Sequence, residues 1–266
     1  MNRSAQWELD DGVVYHWAIG SLALWICRTV GEWSYAWTHT DHLVLPLTDT
    51  PSPHALPPED LTWTRVVSAS PAQGIEFAVR PPDRATVIKG EQAIAVLPHT
   101  TAELFAPVPV WITASTIGDK PQMLFEVPTQ RLHRRWFGSP MQGTLCYSVH
   151  AGFSTHASEV SADPVYALCP IRVRNLSNET FRTDALYIQS DQLNLYRPEG
   201  SHWLHNLVTN SEITTVAAAD DVSFAVSSDR GKSRPDGQLV ARARRRHEES
   251  WWKRGYVLFQ RISNYG

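Results

Sequence analysis

Residues 13–38 read VVYHWAIGSLALWICRTVGEWSYAWT, and this stretch decides the fold. Val13–Ile19 is rich in β-branched and aromatic residues, a composition that is typical of strands. After glycine-containing turns, Leu22–Thr29 and Glu32–Thr38 continue in the same way. We therefore expect three consecutive strands. Because both alternating faces of Leu22–Thr29 are mostly apolar, we expect this strand to be covered on both sides.

Short strand-like runs separated by proline or glycine continue along the chain at intervals of about 8–12 residues, a rhythm typical of sandwiches and barrels. The sequence therefore predicts an all-β protein of two packed β-sandwich-like units. Pro107 and Pro109 remove two backbone donors, which indicates an edge or a crossover, so we place the junction near Ala106–Val110. The predicted units are a Trp-rich sandwich over residues 1–105, a second sandwich over 106–229, and a basic C-terminal segment over 230–266.

The C-terminal segment differs in character from the rest of the chain. Val240–Lys253 contains Ala, Arg and Glu but neither Gly nor Pro, and it is the stretch that we predict to be an α-helix. Its apolar stripe is weak, and a helix that is polar on most faces must bridge parts of a protein or bind something to be stable.

The charge is unevenly distributed. The net charge is -3, yet ten Lys and Arg stand against three Asp and Glu from residue 230 onward, which leaves +7 for the tail and -10 for residues 1–229. This composition excludes a uniformly basic nucleic-acid coat. The tail residues that we predict to bind a partner are Arg242, Arg244, Arg245, Arg246, Trp251, Trp252, Lys253 and Arg254.

Basic residues beside tryptophans suit an acidic protein or a membrane surface, and they can stack on single-stranded nucleic acid. The tail can equally dock on the chain's own acidic body, because charge runs are usually solvated faces or structural pairings. We expect a protein partner or self-association, with an anionic surface as a further option, and we do not expect nucleic acid.

The location of the protein is predicted from what the sequence lacks. No apolar run approaches the roughly 20 residues of a membrane span, and the first residues lack the apolar core of a signal peptide. Cys27, Cys146 and Cys169 are odd in number and far apart, so we expect three free thiols and a cytoplasmic protein.

A Gly-Pro block near the middle of the chain allows two interpretations. Gly138-Ser139-Pro140 can form a tight turn, and Gly143 allows close backbone approach before a strand begins. The block is then a structural corner between two strands. Alternatively, it belongs to a loop that presents four basic residues to an anion, since Arg forks suit carboxylate and phosphate; these are Arg131, His133, Arg134 and Arg135.

Other candidate sites are weaker. His39 and His42, like His202 and His205, form pairs with too few ligands for zinc. Cys146 and His150 would be about 13 Å apart along a strand, too far for a nucleophilic pair. We predict no catalytic residue, no metal site and no cofactor. The tryptophans could form a sugar-binding platform, but those inside strand-like runs are better suited to a core.

Four phrases of the sequence resemble a known family. They are Gly20-Ser-Leu-Ala-Leu-Trp25, Pro109-Val-Trp111, Trp136-Phe-Gly-Ser-Pro140 and Gly143-Thr-Leu-Cys-Tyr147. Over residues 10–215 the chain resembles an archaeal and bacterial family catalogued as domain of unknown function 432. The resemblance implies no activity, ligand or catalytic residue. It does imply an association of bacterial members with genes for mechanosensitive channels.

These observations favour a non-catalytic protein. We expect a soluble accessory or sensing module that acts through protein–protein contacts, alongside a membrane channel if the family association applies. The alternative is a small-anion or carbohydrate-binding protein, or an enzyme, with a pocket lined by His, Arg and Trp. A concave pocket with such a lining would favour the alternative, and a convex body with an exposed tail would favour the first interpretation.

Overall fold

A computed structural model describes residues 5–40, 50–68, 72–137, 141, 143–160, 163–209, 213–218, 221–226 and 237–245. Within these residues the chain forms twenty strands and two 3₁₀ turns, at Ala157–Glu159 and Ser190–Gln192. The strands are β1 (Gln6–Glu8), β2 (Val14–Ile19), β3 (Leu22–Thr29), β4 (Glu32–His39), β5 (Ser52–Pro53), β6 (Thr64–Val67), β7 (Gly74–Arg80), β8 (Thr86–Val96), β9 (Thr101–Pro109), β10 (Trp111–Thr116), β11 (Met123–Pro128), β12 (His133–Phe137), β13 (Thr144–Val149), β14 (Tyr166–Asn175), β15 (Phe181–Ile188), β16 (Leu195–Arg197), β17 (Val208–Thr209), β18 (Ile213–Ala218), β19 (Asp221–Val226) and β20 (Gln238–Ala241). The all-β prediction is confirmed.

The strands form four sheets. The Trp sheet has the order β5-β2-β3-β4-β6, and the bridging sheet has the order β1-β7-β10-β11. The β12 sheet has the order β12-β13-β8-β15. The long sheet has the order β19-β18-β14-β17-β16-β20, and β9 also pairs with β14 in it.

The largest core lies between the Trp sheet and the bridging sheet. Trp17 and Leu24 from the first and Phe77 and Ile112 from the second are almost completely buried in it. The predicted burial of both faces of β3 is confirmed, since every residue from Leu22 to Ile26 is buried. This burial explains why the strand shows no polar alternation in the sequence.

A second core joins the β12 sheet to the long sheet. Ile88 and Ile188 from the first pack against Val108 and Val173 from the second. In β14 the residues Ile171 and Val173 are buried, while Arg172 and Arg174 lie on the accessible face, as the alternating pattern predicts. Both core arrangements therefore place two sheets face to face, the geometry of a β-sandwich.

One predicted turn is absent from the fold. The sequence indicates separate strands at Ala85–Lys89 and Ala93–Pro98, but the chain runs through both as the single strand β8. Gly90 lies inside this strand, and a Cβ at this position would lie 2.8 Å from the ring of Phe153. The glycine therefore marks a close side-chain approach to the strand instead of a turn.

The helix prediction for Val240–Lys253 is wrong over its described part. Val240 and Ala241 lie in β20, which pairs antiparallel with β16, and no helix forms over residues 242–245. Pairing with an available sheet edge overrides the helical propensity of Ala and Arg, which is a weak preference. Residues 246–253 of the prediction lie outside the described residues.

The predicted junction near Ala106–Val110 falls where the chain passes from β9 in the long sheet to β10 in the bridging sheet. Strands from both sides of the junction share sheets, since β7 pairs with β10 and β8 pairs with β13. The division into units over 1–105, 106–229 and 230–266 stays a prediction.

Candidate functional site

The start of the basic tail is fixed to the body by its backbone. After β20, the amide of Ala243 donates to Asn194 Oδ1 at 2.8 Å. The amides of Arg244 and Arg245 both donate to the carbonyl of Asp191, at 2.9 and 3.0 Å. These bonds hold the two arginines at the second 3₁₀ turn, so their side chains leave from a defined point on the body.

The side chain of Arg244 is bound inside the body. Its Nε donates to the carbonyl of Pro81 at 2.7 Å, and its Nη2 donates to the Glu126 carboxylate. The guanidinium carbon lies 5.5 Å from the centre of the Trp111 ring, a cation–π geometry. Only 17% of the Arg244 side chain and 16% of the Glu126 side chain are exposed.

Burial, together with the positive charge of Arg80, lowers the pKa of Arg244 to about 10. The group therefore remains a cation at neutral pH. Glu126, which Arg80 Nη1 approaches to 3.8 Å, compensates part of the buried charge. We call the site formed by Pro81, Trp111 and Glu126 the Arg244 seat.

Arg245 points away from the body. Its Nε lies 3.3 Å from Asp191 Oδ2, yet 73% of its side chain is exposed while only 7% of the Asp191 side chain is. Burial raises the pKa of Asp191, and the charge of Arg245 partly opposes that rise. Burial also raises the pKa of Tyr187 to about 12, with an opposing contribution from Arg245. Arg245 therefore forms an ion pair with Asp191, and its charge also acts on Tyr187.

Tyr147 connects the Arg244 seat to β12. Its ring centre lies 6.2 Å from that of Trp111, and its hydroxyl donates to Asp83 at 2.8 Å. The guanidinium of Arg84 lies 5.3 Å from the Tyr147 ring, and Arg134 is paired with Tyr147 across β12 and β13. Arg84 Nε and Trp111 Nε1 are buried donors with no acceptor among the described residues. This junction is therefore rich in donors and positive charge.

The residues that the sequence assigns to a basic loop lie mainly in a strand. His133, Arg134 and Arg135 form the first part of β12, and all three are exposed. The loop prediction is wrong for these three because they pair in register with β13. Arg131 precedes the strand. Its positive charge adds to the burial that lowers the pKa of His39.

The β12 sheet curls so that its edge strand approaches the tail. Phe137 of β12 stacks on Tyr187 of β15 at 5.1 Å, although two strands lie between them in the sheet. The two rings cover the buried thiol of Cys146. Because the charge of Arg245 also acts on Tyr187, the structure brings two predicted sites, β12 and the start of the tail, to one side of the molecule.

Exposed apolar residues follow the basic part of β12. The side chains of Trp136 and Leu145 are paired across the hairpin, and 52% of Trp136 is exposed. Met141, between the two strands, is almost fully exposed. The predicted close approach at Gly143 is confirmed, because a Cβ there would lie 2.2 Å from Trp136 Nε1. This apolar part of the hairpin was not predicted from the sequence. The usable signal was the position of Trp136 close to the glycines of the Gly-Pro block.

The family model described as "Protein of unknown function (DUF432)" matches residues 5–259. This chain belongs to the DUF432 family. No curated protein and no solved structure matches the chain.

The DUF432 match is longer than the resemblance suggested by the sequence phrases. Those phrases reach residue 215, whereas the family match continues to residue 259 and includes the basic tail up to and beyond Trp251 and Trp252. The Arg244 seat and β12 therefore lie within one DUF432 region. Arg246, Trp251, Trp252, Lys253 and Arg254 lie outside the described residues.

The remaining predicted groups have structural surroundings of their own. Trp17, Trp25 and Trp33 are buried, as expected for core residues, whereas Trp37 is 39% exposed. The rings of His202 and His205 lie 4.9 Å apart, and no group of three potential metal ligands occurs in the described part of the chain.

The cysteines Cys27, Cys146 and Cys169 are free thiols. Burial raises the pKa of Cys146 to about 11, which leaves a protonated thiol at neutral pH, the form that packs as a small apolar group. Among the described residues, no helix has the length and apolar character needed to cross a membrane.

Proposed function

We propose that this DUF432 protein is a non-catalytic accessory or sensing module that binds an acidic protein surface. Binding uses a composite basic surface made of His133, Arg134, Arg135 and Trp136 in β12 together with Arg242, Arg245 and the tail beyond them. The observation that carries this proposal is the position of the tail start. The Arg244 seat and Asp191 hold it on the side of the body where Trp111 lies beside Tyr147, the residue that pairs with Arg134 of β12. The charge of Arg245 there also acts on Tyr187, the ring on which Phe137 of β12 stacks.

Charge supports an acidic partner. The tail carries +7 and is joined to a body of -10. Within the described part of the chain, the tail start forms ion pairs with two carboxylates of the body, those of Glu126 and Asp191. Single exposed ion pairs contribute about 0.2–1 kcal/mol each, so affinity requires several of them acting together. Trp136 adds the kind of exposed aromatic contact that dominates protein interfaces.

The position of β12 supports a protein partner over a free ion. It is the first strand of its sheet, so in the described part of the chain its outer backbone edge pairs with no strand. An extended acidic segment could add to this edge as a further strand, with main-chain bonds supplying affinity and the arginines supplying specificity. The same arginines oppose edge-to-edge pairing of two copies, because like charges would meet.

We propose that this interaction takes place in the cytoplasm. The resemblance-based association with mechanosensitive-channel genes makes the soluble part of such a channel a candidate partner. Self-association through the acidic body of a second copy is the competing outcome, and it is separated from partner binding by the concentration dependence of sedimentation.

The proposal is tested by titrating the full chain with a short Glu-rich peptide that contains Leu and Phe, using isothermal titration calorimetry. At low salt, Arg134→Ser with Arg135→Ser should weaken binding by about tenfold, since two charge contacts of up to about 1 kcal/mol each are lost. The weakening should shrink at high salt, where the Debye length falls to about 3 Å at 1 M.

The matched control is Arg172→Ser with Arg174→Ser, which removes two arginines from the accessible face of β14 in a different sheet. Its affinity for the peptide should equal that of the wild type. A specific basic surface on β12 would be contradicted if both double variants lost the same affinity for the Glu-rich peptide. It would also be contradicted if the wild type bound a Lys-rich peptide as tightly as the Glu-rich one.

A further inference from the structure

The hairpin of β12 and β13 places two kinds of side chain on one face of its outer strand. Arg134 pairs with Tyr147, and two positions further along Trp136 pairs with Leu145. Residues two apart in a strand lie on the same face, so Arg134 and Trp136 are neighbours about 7 Å apart along the strand. Arg135 lies between them on the opposite face. The strand therefore presents a basic position followed by an aromatic one.

The main-chain groups of Arg134 point to the outer edge of the sheet. On the neighbouring strand, the amide of Tyr147 donates to the carbonyl of Ala85 at 2.9 Å, so it points towards the start of β8 and away from β12. Two residues that are opposite each other in an antiparallel pair turn their main-chain groups either towards each other or away from each other. Arg134 therefore directs its amide and carbonyl outward, where one residue of an added antiparallel strand can bond to both.

Trp136 provides an apolar contact at a fixed place on the same face. A Cβ on Gly143 would lie 2.6 Å from Trp136 Cε2, so the indole lies directly against the glycine backbone. The indole is nevertheless half-exposed, and so is Leu145, its partner across the hairpin. A ring that its own hairpin already holds loses little freedom when another side chain packs on it. This position is therefore suited to a large apolar residue of a partner.

The two arginines before Trp136 serve opposite faces of the strand. Burial raises the pKa of Tyr147 to about 12, and the charge of Arg134 is among those that oppose this rise. On the other face, the charge of Arg135 opposes the rise in the pKa of Cys146 that burial causes. Both arginines are exposed, so each can bind a carboxylate from its own face.

We propose that β12 accepts an extended antiparallel segment of the partner in which a large apolar residue is followed directly by acidic residues. The apolar residue lies opposite Trp136, the next residue opposite Arg135 and the one after it opposite Arg134. Antiparallel addition is favoured because it is the more stable pairing per residue. A shift of one residue would move the apolar side chain to the other face, away from Trp136. This inference rests on the proposed function and adds the order of the partner's residues.

The test is calorimetric titration of the full chain with two end-blocked peptides of identical composition. The matched peptide is Thr-Thr-Phe-Glu-Glu-Glu-Thr, and the shifted peptide is Thr-Phe-Thr-Glu-Glu-Glu-Thr. In every register the shifted peptide loses either the contact with Trp136 or a contact between a carboxylate and an arginine. The matched peptide should therefore bind about threefold to fivefold more tightly, which is the contribution of one favourable cross-strand pair.

A variant of Trp136 shows whether this residue creates the preference. Trp136→Thr keeps a residue that favours strands, and the two peptides should bind it equally. The matched control is Trp37→Thr, which replaces a partly exposed tryptophan in the Trp sheet and should keep the preference of the wild type. Melting curves verify that both variants are folded, and the comparison of the two peptides on the wild type requires no variant.

The outcomes separate this inference from the proposed function. Equal binding of the two peptides by the wild type would overturn the inference, and so would a preference that persists in Trp136→Thr. In both cases the proposed function stands if the Glu-rich peptide still binds through Arg134 and Arg135. Absence of binding by every acidic peptide would contradict the proposed function and the inference together.

Discussion

Replacing Arg244 with Met lowers the free energy of unfolding by roughly 2–3 kcal/mol. This lies just below the roughly 3–5 kcal/mol for removing one partner of a fully buried ion pair, because both side chains keep some exposure. The substitution removes the Arg244 bonds to Pro81 and Glu126 and its contact with Trp111. Glu126 would remain mostly buried with only the more distant Arg80 as a cation. Urea unfolding followed by tryptophan fluorescence measures the change.

Two further variants make this prediction specific. Arg242→Met, two residues earlier at an exposed position, should change the unfolding free energy by less than about 0.5 kcal/mol. Adding Glu126→Gln to Arg244→Met should restore part of the loss, because the second change removes the uncompensated carboxylate. If Arg244→Met unfolds at the same urea concentration as the wild type, the Arg244 seat does not fix the tail to the body.

Replacing Arg242, Arg245 and Arg246 with Ser weakens binding to the Glu-rich peptide by about tenfold at low salt and by much less at high salt. Arg244 stays unchanged in this variant so that the tail start keeps its position. Trp251→Ala should weaken binding at both salt concentrations, because burial of an aromatic ring depends little on ionic strength. The same calorimetric titration in two buffers separates the two effects.

The control for the tail prediction is the unfolding free energy of each variant. It should lie within about 0.5 kcal/mol of the wild type, so that a change in peptide binding does not reflect a loss of folding. Unchanged peptide binding at low salt in the triple Ser variant would show that the basic tail is solvated and takes no part in recognition.

Much of the fold could be predicted because its signals are local. The apolar faces of Leu22–Ile26 and the alternation of Ile171–Arg174 reflect burial that each strand carries in its own sequence. The turn predicted at Gly90 is absent because a glycine that makes room for the Phe153 ring cannot be distinguished in the sequence from a glycine that forms a turn. The helix predicted for the Ala- and Arg-rich start of the tail is absent because β16 offers a pairing edge that no local propensity reveals.

The composite surface could be predicted only in parts. The arginines of β12 and of the tail were identified separately from their charge, but Arg244 and Glu126 are 118 positions apart. The link through Tyr187 and Phe137 depends on how the β12 sheet curls. Such contacts follow from the arrangement of whole sheets and have no periodicity in the sequence.

Hydrogen–deuterium exchange of the full chain with and without the Glu-rich peptide measures whether β12 and the tail form one surface. Backbone amides report binding at both places without any substitution. We predict slower exchange on peptide addition in residues 133–137 and 242–245 together, with the same dependence on peptide concentration. Protection confined to one of these segments, or found only elsewhere on the chain, would contradict a composite basic surface.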